Sequence, residues 1–253
     1  MSRWLLALRI ETAKALASRV VFATAVLTVA GIAAIVISFR AVAASGDPQV
    51  LAKLGEAGAA PGWPGMLATA MQVAAPAFLL GITVLHAWLV GREFADGTVV
   101  ALYGLSVGRG QVAVAKFVLA VGASAVMGVM LAVALLAGGL LLGYGAPSGA
   151  DAAVLGRIAV LAPFSALVAS PVALAATLGR GMLAGIATGF VLLASAQVLV
   201  VLGVGGWFPL AVPALWALSP DAVALPAVAL ALAIGVAVSA ITAVAWRRLQ
   251  LNR

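Results

Sequence analysis

The apolar positions of the chain gather into six long runs separated by short polar stretches. They predict membrane-spanning helices over 20–39, 67–90, 117–142, 152–178, 182–204 and 223–246. Each run is long enough to cross the roughly 30 Å hydrocarbon core of a bilayer at 1.5 Å per residue. A membrane β-barrel would instead show short segments of alternating polarity. The expected fold is therefore all-α: a single transmembrane domain over 1–253, polytopic and helical, with both termini on one side. Pro76 falls inside the second run, and Pro163 and Pro171 inside the fourth. Proline is tolerated there when neighbouring helices satisfy the carbonyls it frees.

The stretches between the runs differ in kind. In residues 2–19, Trp4, Leu5, Leu8 and Leu16 alternate with Arg3, Arg9, Glu11, Lys14 and Arg19. This reads as an amphipathic helix lying on the membrane, and equally as a charged flank that sets topology. Residues 40–66 are a polar connection rich in Gly, Pro and Ala, carrying Arg40, Asp47, Lys53 and Glu56. Residues 205–222 hold three prolines and two tryptophans and read as interfacial or partly re-entrant. The most informative stretch is 91–116, with Arg92, Glu93, Asp96, Arg109 and Lys116. Asp96-Gly97 is a turn signal, since glycine accepts positive φ. Thr98 is placed to cap a short helix whose apolar positions are Val99, Val100, Leu102, Tyr103 and Leu105, and Gly108 and Gly110 end it.

Composition agrees with a membrane protein. The chain has 253 residues, 65% hydrophobic and 8% charged, against about 25% charged in soluble domains. There is no cysteine, hence no disulfide and no thiol chemistry. The net charge of +7 follows topology, not nucleic-acid binding. If the termini are cytoplasmic, that side carries Arg3, Arg9, Lys14, Arg19, Arg92, Arg109, Lys116, Arg180, Arg247, Arg248 and Arg253. The other side holds only Arg40, Lys53 and Arg157, and eleven against three is the positive-inside asymmetry.

Candidate chemistry inside the membrane is sparse. No phosphate-binding loop, zinc-protease motif or nucleophile-elbow motif is present, so no catalytic residue, metal site or cofactor is expected in this chain. Ionisable groups deep in the spans, the mark of ion-driven carriers, are lacking. The lone His86 reads as a packing residue near the end of the second span. Gln72 and Gln197 are candidates either for hydrogen bonds between helices or for a translocation path. Gly181, Gly185 and Gly189 form a ladder that admits close helix packing, within the subunit or between subunits.

The central stretch resembles the cytoplasmic loop of ABC-2 type transporter permeases. The matching residues are Arg92-Glu93-Phe94-x-x-Gly97-Thr98, then Leu102 to Leu105, Val107-x-Arg109 and Lys116-Phe117. The opening Glu11-x-x-Lys14 with Ser18-Arg19 resembles that family's elbow helix. Ser106 and Gly108 depart from it, standing where the family has Pro and a Ser or Thr. The resemblance implies an elbow helix over 2–19 and a coupling helix near 98–105 that seats in a partner ATPase. Its coupling residues would be Glu93, Asp96, Gly97, Thr98, Leu102, Tyr103, Leu105, Arg109 and Lys116, with Glu93 paired to Arg109, to Arg92 or to a basic residue of the partner. It further implies two permease subunits, a homodimer by expectation, and two ATP-binding subunits that hold ATP and Mg. The setting would be membrane lipid, as a multi-pass protein of a bacterial plasma membrane, and the abundant Gly and Ala suit a GC-rich bacterial genome. The function implied is ATP-driven export of a drug-, peptide- or lipid-like amphiphile. A second reading is a membrane anchor or assembly subunit for an ATPase or an envelope system.

Overall fold

A computed structural model of the protein describes residues 2–46, 48–104 and 107–250, with Ala44, Pro48, Val50, Lys53, Leu54, Leu102 and Tyr103 described by backbone alone. Leu105, in the expected coupling helix, and Ser106 lie outside the described residues. Among the described residues the structure is helical throughout. Helix α1 (Arg3–Leu16) precedes α2 (Arg19–Ala44), α3 (Pro48–Ala59) and α4 (Gly62–Ala95). A 3₁₀ run, Thr98–Gly104, leads to α5 (Arg109–Leu141). Then come α6 (Gly149–Val168), α7 (Ser170–Leu178), α8 (Met182–Val201), the short α9 (Val212–Leu218) and α10 (Leu225–Arg247). Six helical stretches are long and apolar enough to cross a membrane: α2, α4, α5, α6 with α7, α8 and α10.

Helix α4 and the α6–α7 pair form the centre, and α2, α8 and α10 lie outside with most of their surface uncovered. Phe78 and Ile82 of α4, Leu131 and Leu135 of α5, and Ile158 and Leu161 of α6 are buried in one apolar core with Val36 of α2. The outer helices keep large apolar side chains exposed, among them Phe22, Leu183 and Phe190. This is the arrangement a bilayer permits, since lipid is as apolar as the core.

The prolines of the fourth span place its free carbonyls. A proline removes the hydrogen bond to the carbonyl four residues before it. Pro163 thus frees Ala159, whose carbonyl faces Gly128 of α5 where a Cβ would collide with it. Pro171 frees Leu167, and a Cβ on Gly235 of α10 would lie 2.7 Å from that oxygen. Each glycine lets a neighbouring backbone close over a carbonyl that would otherwise stand bare in the membrane, with its Cα–H as a weak donor. The span breaks at Ala169, two residues before Pro171, so that the proline falls in the first turn of α7, where its missing N–H costs α7 no helical bond. Ser170 adds a hydroxyl bond to the Gly235 carbonyl at 3.1 Å.

The glycine ladder packs inside the chain. Gly189 meets Thr83 of α4, and Gly185 meets Ala87 of α4 and Ala176 of α7. Gly91 of α4 closes on Met182 at the start of α8, so the stripe is reciprocal: Thr83, Ala87 and Gly91 face the ladder at one-turn spacing. Gly181 touches nothing comparable; its nearest neighbour is Gly179 O at 3.9 Å from a built Cβ. Ladder packing between subunits is therefore not what Gly185 and Gly189 do.

At the end away from the termini, the expected polar connection is partly helical. The guanidinium of Arg40, 6% exposed, donates to Gly58 O at 2.6 Å and Ala60 O at 2.9 Å. Those bonds hold α3 against α2, which runs on to Ala44. The Pro- and Trp-rich 205–222 segment folds back so that Val212 and Ala217 of α9 are buried against the bundle.

Replacing Gly128 or Gly235 by Ala should destabilise the protein by about 1–3 kcal/mol, the usual cost of overpacking. Gly156→Ala, where nothing lies within 4 Å of the new methyl, should leave thermal unfolding in detergent unchanged or slightly improved.

Candidate functional site: a buried charge cluster beneath the connecting loop

At the end of the bundle that holds both termini, four charged side chains from three helices meet. Glu11 and Lys14 lie one turn apart on α1, Glu93 ends the long α4, and Lys116 lies two turns into α5. Lys116 Nζ donates to Glu11 Oε2 and, at 2.9 Å, to Glu93 Oε1. Lys14 Nζ donates to Glu11 Oε1 at 3.0 Å and to the same Glu93 oxygen at 2.9 Å. Two cations and two carboxylates alternate, so the cluster is neutral. Glu11, Glu93 and Lys116 are 2–3% exposed, whereas the Lys14 side chain is 41% exposed.

The loop enters through the second oxygen of Glu93. Thr98, which opens the 3₁₀ run, donates its hydroxyl to Glu93 Oε2 at 2.6 Å. Its hydroxyl proton thus ties the start of the 3₁₀ run to Glu93. The intervening turn is made by Gly97 at φ +66, a conformation that costs glycine little and other residues more. Val99 packs against the adjoining apolar cluster while Val100 stands 55% exposed. So the loop is anchored at its start and offers apolar surface beyond it.

Expected partners of Glu93 are corrected here. Arg92 points elsewhere because adjacent helical residues do not share a face; it pairs with Asp96 one turn on, at 3.0 Å, and lies 5.4 Å over the Trp88 ring. Arg109 sits two turns before Lys116 and reaches the end of α10 instead. It donates to Leu249 O at 2.7 Å and Arg247 O at 3.0 Å. Arg180 donates to Gln250 O at 3.0 Å. Arg109 thus serves a carbonyl left open at the C-terminus of α10, where the helix dipole favours positive charge, and both cations hold the residues just beyond it. The turn into α5 is capped by Gln111, whose side chain accepts from the Gly108 N–H at 3.1 Å. The Gln111 N–H in turn donates to the Gly108 carbonyl at 2.8 Å, since Gly108 has no hydroxyl to accept it.

Burial opposes the charge of Lys14. Its bond to Glu93 and the attraction of Glu11 and Glu93 outweigh that, and hold its pKa above the ordinary lysine value. The stability it adds is therefore complete throughout the neutral range and is lost only in strong alkali, as pH rises through the raised pKa.

Around the cluster stand residues that sequence reasoning passed over. Trp246 of α10 is fully buried, with its indole N–H on Thr177 Oγ1 at 3.0 Å, Phe94 edge-on at 6.0 Å and Lys116 Nζ 5.9 Å above its ring. Trp88 donates to Ser18 Oγ at 3.0 Å, and that same oxygen caps α2 by accepting from Val21 N. The signal was present, since a buried tryptophan N–H needs an acceptor, but nothing local names which one. A cleft of about 70 Å³ opens beside the cluster, lined by Lys14, Trp88, Arg92, Glu93 and Thr98.

This anchored loop, followed by a helix opening on Lys116, is the arrangement in which the family can be named. The family described as ABC-2 family transporter protein matches residues 7–196. The chain belongs to the ABC-2 transporter family. It is a multi-pass membrane permease of an ABC transporter, a family that works with an ABC ATP-binding subunit. No curated protein and no solved structure matches the chain. The match takes in α1, the charge cluster and the connecting loop, and ends within α8.

Other candidate residues of the permease lie apart from this site. His86 is buried, and its Nε2 donates to Ala166 O at 2.9 Å while the ring packs 5.6 Å from Phe117; it ties α4 to α6. Gln197 borders a cavity of about 50 Å³ with Pro76, Ser165 and Leu210. Gln72 is exposed on α4 and does not line that cavity.

Breaking the cluster should cost far more than breaking the exposed pair. Lys116→Met, which leaves buried carboxylates under-compensated, should destabilise by about 3–5 kcal/mol. Arg92→Ala should cost below about 1 kcal/mol. Thermal unfolding of both variants in one detergent checks the contrast.

Proposed function

We propose that the protein is the membrane-spanning subunit of an ATP-driven exporter, with the end holding both termini in the cytoplasm. The eleven-to-three distribution of Lys and Arg supports that orientation. In this reading α1 is the elbow helix lying along the inner membrane surface. The stretch 98–105 is the coupling helix, seated in a groove of the partner ATPase. Two copies of this chain pair with two ATP-binding subunits, which hold the ATP and Mg; this chain holds no cofactor and catalyses no reaction. The setting is a bacterial plasma membrane.

The observation that carries the reading is the Thr98–Glu93 bond. A push on the loop reaches Thr98 first. From there Glu93 passes it to Lys116 and Lys14, and so to α5 and α1 together with α4. With Glu11, Glu93 and Lys116 buried and bonded to one another, the cluster moves as a unit, because separating any of these three strands a charge. Asp96 with Arg92 and Gly97 set the turn, and Arg109 ties the far end of the loop to α10. ATP-driven closure of the ATPase pair would then tilt the spans and alternate access to a path between two permease copies. Gln197, beside its small cavity at the opposite end, is a candidate for that path, as is the exposed Gln72. The lack of carboxylates deep in the apolar runs suits an amphiphile of drug-, peptide- or lipid-like kind.

Purification from native membranes in a gentle detergent should bring down a Walker-type ATPase in equal amount. Glu93→Ala and Gly97→Pro should insert normally, yet reduce substrate-stimulated ATP hydrolysis at least several-fold, since proline cannot adopt the positive φ of Gly97. Normal stimulation in both variants would refute the coupling role. Co-purification of an envelope protein with no ATPase would favour a membrane anchor instead.

A further inference from the structure

One apolar cavity belongs to neither the charge cluster nor the candidate path. It is a groove of about 530 Å³ between α1, α2 and α5. Leu8 and Thr12 of α1 and Phe22 of α2 line the end nearest the termini, and Gly122, Val126 and Met130 carry it into the bundle. Thr12 is the single polar side chain of the lining. Phe22, Val126 and Met130 are 70%, 58% and 51% exposed, so the groove is open along its side.

Its dimensions and its charge point to one kind of occupant. From Val118 to Met130 the groove follows α5 for about 18 Å at 1.5 Å per residue, close to the roughly 15 Å depth of one leaflet. Its floor is widened by Gly122, where a Cβ would have nothing within 4 Å. Arg9 stands one helical turn before the lining residue Thr12 on α1, and Arg19 one turn before the lining residue Phe22 on α2. Both arginines are exposed, and neither makes an ion pair among the described residues. The carboxylate closest in sequence, Glu11, is already engaged by Lys14 and Lys116.

We propose that this groove is a binding site for one anionic phospholipid, held with its phosphate between Arg9 and Arg19 and an acyl chain along Gly122. A chain that deep in a leaflet contacts only apolar atoms, and the headgroup meets two cations at the level where lipid phosphates lie. A second copy of this chain fits less well, because a two-fold contact through the groove would bring the two arginine pairs of both copies toward each other. The lipid would brace α1 against α2 and α5 beside the charge cluster, since Ala15 and Val21 line both the groove and the cleft next to that cluster. The site stands whether or not the coupling role holds.

Native mass spectrometry of the full chain, released from vesicles of equal phosphatidylglycerol and phosphatidylcholine, tests it. The wild type should retain one phosphatidylglycerol under detergent washing that removes phosphatidylcholine. Gly122→Phe, which fills the groove, and Arg9→Gln with Arg19→Gln should each lower that retention at least tenfold, with unfolding temperatures near wild type. Equal retention of both lipids, or unchanged retention in both variants, would overturn the proposal. Loss of a dimer in Gly122→Phe with lipid retention unchanged would overturn it in favour of a second copy in the groove.

Discussion

The structure turns on two carboxylates and an ammonium group that have been taken out of water together, with the ammonium of Lys14 joining them from the rim. Ionised groups are costly to bury alone, and the cost is met only when geometry is good and each charge finds its opposite. Glu11, Glu93, Lys14 and Lys116 meet that condition because α1 lies across the ends of α4 and α5 at one height. The cluster specifies position more than it adds stability. A helix lying on a membrane surface can slide and rotate, and the apolar face of α1 alone would not fix its register. Two ion pairs to two different spans do.

That constraint also gives the loop a fixed origin. Because Glu93 uses one oxygen for the lysines and the other for Thr98, the first residue of the 3₁₀ run is tied to the same point as the spans. The far end is held differently, by Arg109 on carbonyls at the end of α10 and just beyond it. Trp246 links the two regions, touching Phe94 and Thr177 and facing Lys116. The loop is therefore bound at both ends to the membrane domain, with exposed apolar surface such as Val100 between.

Much of this was legible in the chain. Six apolar runs gave six spans, since hydrophobic length is a strong and local signal. The helices overrun those runs: α4 continues to Ala95 and α5 begins at Arg109, because a helix does not stop where the bilayer does. Glu11, Lys14, Glu93, Thr98 and Lys116 were each singled out, yet their mutual pairing was not. Glu93 lies 79 residues from Lys14, and sequence reasoning turned to the nearer Arg92 and Arg109. The prolines behave likewise. That Pro163 and Pro171 free two carbonyls follows from the chain alone. Which glycines close over them, Gly128 and Gly235, depends on helix contacts that no local pattern encodes.

The central claim is that Glu93 and Lys116 act as one unit in joining loop to spans, and a double-mutant cycle tests it most directly. Thermal unfolding would be measured for Glu93→Gln, Lys116→Met and the two combined. Since the second change removes a charge that the first has already stranded, the double variant should be less destabilised than the sum by more than about 1 kcal/mol. Additive losses, agreeing within about 0.5 kcal/mol as for independent sites, would show that the two charges do not depend on each other and would contradict the account.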